Sequence, residues 1–92
     1  MADEIPVIRI KEHRFSPPEL RIPVGKKIKI LVNNEDAEPE EFESYELRRE
    51  KFVSGHSAIV LYVGPLKPGV YKYFGDFHPQ TAQGRLIAEG NS

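Results

Sequence analysis

The sequence predicts an all-β fold, a Greek-key β-sandwich of about seven strands, and three observations lead to this class. Apolar and polar residues alternate with period two in several short segments. Gly, Pro and Asn separate these segments at intervals of roughly 8–12 residues, which is typical of sandwiches. No helical period persists for more than a turn or two. The 92 residues are enough for one domain, residues 1–92, and too few for two.

Six segments carry the strand pattern: residues 5–11, 20–24, 27–32, 57–63, 70–74 and 85–89. Pro6 and Pro23 are expected near strand ends or sheet edges, because proline cannot donate to a β-ladder. Residues 35–53 are ambiguous. We interpret them as the start of a strand followed by an irregular excursion, in which residues 46–51 form at most one helical turn.

Tyr71 lies two residues after the turn formed by Pro68 and Gly69. This arrangement is similar to the tyrosine corner of Greek-key sandwiches, in which the phenol bonds to the backbone a few residues upstream. We therefore expect Tyr71 to have a structural role.

Composition excludes several classes of protein. The net charge of −1 does not favour nucleic acid or an anionic membrane surface as a partner. The longest apolar run, residues 58–63, is far shorter than the roughly 20 residues of a membrane helix. No cysteine is present and Met1 is the only methionine. Disulfides, zinc–thiolate sites, iron–sulfur clusters and cysteine nucleophiles are therefore excluded for this sequence.

Nothing in the sequence favours an enzyme. It contains neither a glycine-rich phosphate loop nor a G-x-S-x-G nucleophile elbow. A sandwich of this size also offers little room for a cleft that would enclose a substrate. We therefore expect a binding protein.

Half of the acidic residues lie in a run of twelve positions that contains no basic residue. They are Glu35, Asp36, Glu38, Glu40, Glu41, Glu43 and Glu46. Such dense like charge is mutually repulsive even when exposed. Solvation on a loop is one explanation, and a bound cation or a basic partner is the other.

A second group of polar residues precedes the last strand. Asp76 and His78 are two residues apart between aromatic side chains, so they share one face if the segment is extended. Pro79 biases His78 toward an extended backbone. An ordinary hydrogen-bonding role and a ligand role both remain open for His78. We expect His13 and His56 on the surface, although the fold would also allow His13 to approach the same end of the sandwich as His78.

These segments, in this order and spacing, resemble a cupredoxin. The resemblance rests on residues 15–20 (Phe-Ser-Pro-Pro-Glu-Leu), 24–26 (Val-Gly-Lys), 33–36 (Asn-Asn-Glu-Asp), 39–42 (Pro-Glu-Glu-Phe), 68–71 (Pro-Gly-Val-Tyr), 73–78 (Tyr-Phe-Gly-Asp-Phe-His) and 84–87 (Gly-Arg-Leu-Ile). It extends over nearly the whole chain.

The resemblance implies positions for the four copper ligands of the family. The first histidine falls on Glu40, the cysteine on Gly75, the second histidine on His78, and the methionine near Ala82 or Gln83. Only His78 matches. Because a blue-copper site requires a thiolate, the sequence predicts that this protein is not a thiolate-copper electron carrier.

Carboxylates beside His78 would form a different kind of metal site. If Phe42 points into the core, alternation places Glu40 on the same inward side, whereas Glu41 and Glu43 face outward unless a bulge intervenes. Oxygen and imidazole donors suit Fe, Mn, Cu(II) or Zn better than Cu(I). The predicted metal ligands are His78, Glu40, Glu43, Glu41 and Asp76.

Within the family, the Glu-Phe-Glu-Ser and Gly-Asp-Phe-His segments resemble small bacterial cupredoxin-like domains associated with high-affinity iron uptake. This implies iron or copper handling in the periplasm, with the native signal peptide removed. It also implies a membrane permease or another metal-uptake protein as partner, and a monomer or weak homodimer. The alternative is a metal-free interaction module that meets a basic protein through the acidic surface of residues 35–46.

Overall fold

The structure is a computed structural model, and it describes residues 5–90. Nine strands run through this part of the chain: β1 (Val7–Lys11), β2 (Arg14–Ser16), β3 (Glu19–Pro23), β4 (Ile28–Asn34), β5 (Glu40–Ser44), β6 (Arg49–Val53), β7 (Ser57–Val63), β8 (Gly69–Gly75) and β9 (Gln83–Glu89). Within these residues no helix is long and apolar enough to cross a membrane.

The strands form two sheets, in the orders β2-β1-β4-β7 and β3-β9-β8-β5-β6. Two pairings, β1 with β4 and β3 with β9, are parallel, and the other pairings are antiparallel. The inward residues of both sheets form one hydrophobic core. The predicted all-β sandwich is therefore confirmed.

Three aromatic rings fill the core beneath β2, β5 and β8. Phe15, Phe42 and Tyr73 lie with ring centroids 5.0–6.0 Å apart in tilted and edge-to-face arrangements. Such pairs contribute about 0.5–1.5 kcal/mol each beyond their burial. Phe42 lies on β5 between Glu40 and Ser44, so the aromatic cluster fixes which face of β5 turns inward.

The described residues contain more strands than the sequence predicts. The expected excursion in residues 35–53 is instead a hairpin of β5 and β6, and residues 49–51 lie in β6, so the suggested helical turn is wrong. The alternation of β5 is regular, but two of its three inward residues, Glu40 and Ser44, are polar. Four of the five residues of β6 are not buried, which leaves it no apolar period. The three-residue β2 is too short to show one.

Two local predictions are confirmed. The Tyr71 hydroxyl donates a 2.7 Å hydrogen bond to the backbone oxygen of Lys67, as a tyrosine corner requires. Pro6 directly precedes β1, and Pro23 is the last residue of β3, which is an edge strand.

Tyr71 and Tyr73 on β8 predict opposite responses to loss of their hydroxyl groups. The Tyr73 hydroxyl is buried with no hydrogen-bond partner among the described residues, and this burial raises the pKa of Tyr73. An unsatisfied buried polar group costs about 1–3 kcal/mol. We therefore expect Tyr73→Phe to be at least as stable as the wild type in denaturant-induced unfolding. Tyr71→Phe, which loses a formed hydrogen bond, should lose about 0.5–1.5 kcal/mol.

A large loss of stability in Tyr73→Phe would contradict this prediction. A loss of more than about 1 kcal/mol in Tyr73→Phe, with an unchanged m-value, would show that the Tyr73 hydroxyl has a partner in solution.

Candidate metal centre

Three connections meet at one end of the sandwich, which we call the tip. They are the β1–β2 turn (residues 12–13), the β4–β5 connection (residues 35–39) and the β8–β9 connection (residues 76–82). Hydrogen bonds between polar side chains and the backbone hold them together.

Asn34, the buried last residue of β4, fixes the β4–β5 connection. Its amide nitrogen donates to the backbone oxygen of Glu38 at 2.8 Å, and its side-chain oxygen accepts a 3.0 Å hydrogen bond from the backbone nitrogen of Asp36. The same amide also approaches two backbone carbonyls at the end of β6. Because both ends of this buried amide are bonded, the positions of Asp36 and Glu38 are well defined.

Asp36 in turn holds the β1–β2 turn. Its carboxylate accepts hydrogen bonds from the backbone nitrogens of Glu12 at 2.7 Å and His13 at 3.0 Å. Both residues have left-handed backbone conformations, with φ of 53° and 59°, which disfavour most side chains. Burial raises the pKa of Asp36, but the two hydrogen bonds and the neighbouring charges of His13 and His78 outweigh it and leave the pKa below its ordinary value. Asp36 thus directs the His13 ring toward the tip.

Buried Glu40 and partly exposed His78 are in direct contact at the centre of the site. Glu40, only 1% exposed, places Oε1 2.8 Å from Nδ1 of His78. Its Oε2 accepts hydrogen bonds from the backbone nitrogens of Glu41 at 3.0 Å and Phe77 at 2.8 Å. Two N–H donors on one oxygen stabilise the carboxylate form, so we assign the shared proton to Nδ1 of His78. In the neutral ring, a proton on Nδ1 leaves Nε2 without hydrogen and with its lone pair available.

Gly75, the last residue of β8, makes room for this carboxylate. A Cβ atom at position 75 would lie 2.5 Å from the carboxyl carbon of Glu40 and 2.7 Å from the Cβ of Ala82. Atoms cannot approach that closely, so any side chain at position 75 excludes Glu40 from its present place. The observed position of the Glu40 side chain therefore requires glycine at position 75.

On the other side of the His78 ring from Glu40, the side chains of His13 and Glu38 approach His78. The rings of His13 and His78 are stacked, with centroids 3.6 Å apart and planes inclined by 15°. Glu38 Oε1 lies 3.1 Å from Nε2 of His13 and 3.9 Å from Nε2 of His78. Each of the three side chains offers one donor atom, all within 4.8 Å of one another. Two imidazoles and a carboxylate are donors that Fe, Cu(II) and Zn accept.

A second acidic group lies on the outer face of the five-stranded sheet. Glu41, Glu43 and Asp76 also bring carboxylate oxygens within 4.8 Å of one another, and Glu43 faces Glu50 of β6 directly. Burial raises the pKa of Glu41 and of Glu43, and the negative charges of Glu50 and Asp76 raise both further. This face is therefore rich in unneutralised negative charge.

The structure divides the five predicted ligands between two places. It brings His78 and Glu40 into contact at the tip, whereas Glu41, Glu43 and Asp76 lie together on the outer face of the sheet. Outward placement of Glu41 and Glu43 follows from the uninterrupted alternation of β5.

Two residues of the tip were not among the predicted ligands. His13 was expected on the surface, with an approach to the His78 end left open, and the structure follows the second alternative, since His13 is half-buried and stacked on His78. Glu38 lies within the acidic run, and no feature of the sequence distinguishes it from its neighbours. The backbone geometry of the β1–β2 turn brings His13 to the tip.

Comparisons with known proteins agree with this architecture. A family model described as a cupredoxin-like domain matches residues 2–88. An uncharacterized protein of Rickettsia prowazekii (strain Madrid E) is 49% identical over 80 residues, which are 87% of this chain and 64% of that protein. The chain thus spans less than two thirds of the length of this relative.

Solved structures of amicyanin are similar to the whole described fold. A reduced-state amicyanin mutant superposes with a TM-score of 0.76 at 23% identity, covering 97% of this chain and 86% of that one. Amicyanin from Paracoccus versutus gives a TM-score of 0.73 at 19% identity, covering 97% and 85%. Identity at this level establishes the fold alone. Since the family model covers almost the entire sequence, the chain belongs to the cupredoxin-like domain family.

Proposed function

We propose that this protein binds a transition-metal ion, iron or copper, at the tip around His78 and passes it to another protein. The cupredoxin-like fold supports a role in metal binding or electron transfer. One observation carries the proposal: a partly exposed imidazole, His78, is held by a buried carboxylate, Glu40, beside further nitrogen and oxygen donors. A positioned imidazole with a carboxylate behind it is the usual arrangement of a metal-ligating histidine.

We propose further that this centre is not a type 1 copper site. The sequence has no cysteine to supply the thiolate of such a site. A side chain at position 75, where the resemblance puts the cysteine of the family, would also collide with Glu40. The donor set therefore does not fit a thiolate-bound copper.

The setting of this function is part of the proposal. We propose a binding protein rather than an enzyme, located in the periplasm and acting beside a membrane permease or another metal-uptake protein. The support is the resemblance of residues 41–44 and 75–78 to small bacterial cupredoxin-like domains of iron uptake. We propose that it acts as a monomer or weak homodimer, without nucleic acid.

Metal titration of the full chain tests the proposal. In isothermal calorimetry with Fe(II), Cu(II), Mn(II) and Zn(II), we expect binding of at least one ion. His78→Asn should weaken it at least about tenfold, equivalent to about 1.4 kcal/mol, because the ion loses a ligand. Asparagine keeps a donor near the position of Nδ1, and so preserves the contact with Glu40, but it removes Nε2.

The matched control is His56→Asn. His56 is an exposed turn residue with φ of 52°, a conformation that asparagine tolerates, so the control removes an imidazole without straining the backbone. Binding should survive this change. If none of the four ions binds the wild-type protein at micromolar concentration, the proposed function is wrong.

A second candidate function, docking of a basic partner without metal, is favoured by the outer face of the sheet. Beside the carboxylates of Glu41, Glu43 and Asp76 stand two exposed phenylalanines, Phe52 and Phe77, whose rings meet edge to face at 6.1 Å. Arginine and lysine side chains form favourable ion pairs with carboxylates and favourable cation–π contacts with aromatic rings. The carboxylates and aromatic rings of this face are thus complementary to a basic segment.

An arginine-containing peptide and amide NMR test this candidate. If it is correct, the amides of β5 and β6 shift on titration, the affinity falls steeply between 50 and 300 mM salt by roughly tenfold or more, and EDTA and His78→Asn have no effect. Shifts confined to the His78 region, or binding that EDTA abolishes, would contradict it.

The charge on this face also predicts a pH-dependent stability effect. Because the pKa of Glu43 is higher in the folded protein than in the unfolded chain, its ionised form opposes folding above the raised pKa. This opposition disappears as the pH falls through the raised pKa. We therefore expect Glu43→Gln to raise the melting temperature at pH 7, and the gain to shrink toward about pH 4, where free glutamate is half protonated.

Glu12→Gln is the control for this experiment. It makes the same change of net charge at an exposed position of the β1–β2 turn, outside the outer acidic group. An equal gain in stability from Glu12→Gln, or a gain from Glu43→Gln that is independent of pH, would show that repulsion within the face is not the cause.

A further inference from the structure

We infer that the metal ion is held by Nε2 of His78, Nε2 of His13 and Oε1 of Glu38, and that Glu40 is a positioning residue outside the coordination sphere. The ion would be divalent and of intermediate softness, such as Fe²⁺, Cu²⁺ or Zn²⁺. This inference rests on the proposed function, and it replaces most of the ligands that the sequence suggests with residues that only the structure brings together.

Only one of the two ring nitrogens of His78 is available to an ion. Nδ1 is bonded to Glu40 at 2.8 Å, and the other oxygen of Glu40 already accepts two backbone hydrogen bonds. An ion at Nδ1 would have to displace a buried carboxylate that is fully bonded. Nε2 lies on the opposite side of the ring, toward Glu38, and the proton on Nδ1 leaves its lone pair free. Nε2 is therefore the metal-binding atom.

Nε2 of His78 lies close to donor atoms of His13 and Glu38. His13 and Glu38 are the described residues whose donor atoms form a group with His78. Asp36 holds the backbone of His13 from one side, and Asn34 holds that of Glu38 from the other. The two potential ligands thus come from separate connections, each tied down at its backbone while its side chain remains partly free.

Metal binding requires a rearrangement of the stacked rings of His13 and His78. Metal–nitrogen bonds of roughly 2.0–2.1 Å lie along the lone pairs, in the planes of the rings. The stacked rings of His13 and His78 have nearly parallel planes, 15° apart, so their lone pairs do not converge on one point. One ring must turn. The His13 side chain is 37% exposed and Glu38 is 66% exposed, whereas His78 is bonded to buried Glu40, so His13 and Glu38 close onto His78.

The resulting centre would have three protein ligands and open positions. Three ligands with at least one place for water or an incoming group distinguish exchanging centres from closed structural ones, which have four protein ligands. Two imidazoles and one carboxylate also suit the divalent ions named above better than Cu(I), which prefers sulfur. The substrate class is thus a divalent cation that the protein can release to a second ligand.

The role of Glu40 is separable from that of a ligand by one conservative substitution. In Glu40→Gln, the amide oxygen is needed by the two backbone donors, so the amide NH₂ group turns toward Nδ1 of His78. Nδ1 then accepts a hydrogen bond, and the proton moves to Nε2. The histidine would keep its place but present the wrong tautomer to the metal.

The experiment uses Zn²⁺ for calorimetry, Cu²⁺ for electron paramagnetic resonance, and imidazole ¹⁵N NMR of the metal-free protein. His13→Asn and Glu38→Gln should each weaken Zn²⁺ binding at least about tenfold, as removal of a ligand requires. Cu²⁺ should show couplings to two imidazole nitrogens in the wild type and to one in His13→Asn. The controls Glu50→Gln on β6 and His56→Asn in the β6–β7 turn, both exposed and outside the group of His13, Glu38 and His78, should leave binding unchanged.

Glu40→Gln should weaken Zn²⁺ binding by about 10- to 100-fold, as loss of a residue that orients a ligand does. In the metal-free protein it should also move the His78 proton from Nδ1 to Nε2, a ¹⁵N signature that a general loss of packing does not produce. If this variant does not fold, the surface variants His13→Asn and Glu38→Gln still decide the ligand set.

The outcomes separate this inference from the proposed function. If the wild type binds no ion, both are wrong. If it binds Zn²⁺ and Cu²⁺ but His13→Asn and Glu38→Gln bind as tightly as the wild type, or Cu²⁺ couples to one nitrogen in the wild type, the function stands and this ligand set is wrong. The same holds if Glu40→Gln abolishes binding with no change in the His78 tautomer, since Glu40 would then be a ligand itself.

Discussion

A buried carboxylate must be compensated where it lies, and at Glu40 this requirement organises the tip of the sandwich. An ion without a partner in the protein interior costs on the order of several kcal/mol. The oxygens of Glu40 are compensated by the backbone nitrogens of Glu41 and Phe77 and by the ring of His78. Two of these three groups belong to the β8–β9 connection, so the conformation of that connection depends on a charge on β5. Gly75 belongs to the same constraint, because a side chain there would enter the volume of the carboxylate.

Apolar packing specifies the sandwich, whereas directional hydrogen bonds specify its tip. Apolar alternation on both sheets creates the core, which tolerates substitution by residues of similar volume. The tip depends on directional bonds instead: Asn34 ties the β4–β5 connection to the end of β6, and Asp36 ties it to the β1–β2 turn. A bond of this kind is lost altogether when one partner changes. The same fold can therefore carry different chemistry at its tip while the core remains that of a cupredoxin.

This difference explains what the sequence predicts and what it does not. Strands with apolar inward residues, such as β4 and β7, are visible as alternation, whereas β5 is obscured because Glu40 and Ser44 take inward places beside one phenylalanine. The approach of Glu40 to His78 was nevertheless predictable, because alternation and the family resemblance both place them at one end. For His13 the fold left two positions open, the surface and the end near His78. The outcome depends on left-handed conformations at both Glu12 and His13, and although histidine is one of the residues enriched there, glutamate gives no such signal.

With the proposed ligand set, one ligand is bonded to a buried carboxylate and two are more exposed, and this asymmetry bears on the kind of transfer that we propose. The ring of His78 contacts buried Glu40, whereas the side chains of His13 and Glu38 are 37% and 66% exposed. Fixing each exposed side chain on the ion would oppose binding by about 0.5–1.5 kcal/mol, and this entropy would be regained when the ion leaves. Electron transfer requires ligands that keep their geometry in two redox states. Delivery of a metal ion requires ligands that dissociate from it one at a time. A fixed imidazole with two more exposed partners would therefore support our proposal that the site transfers an ion rather than an electron.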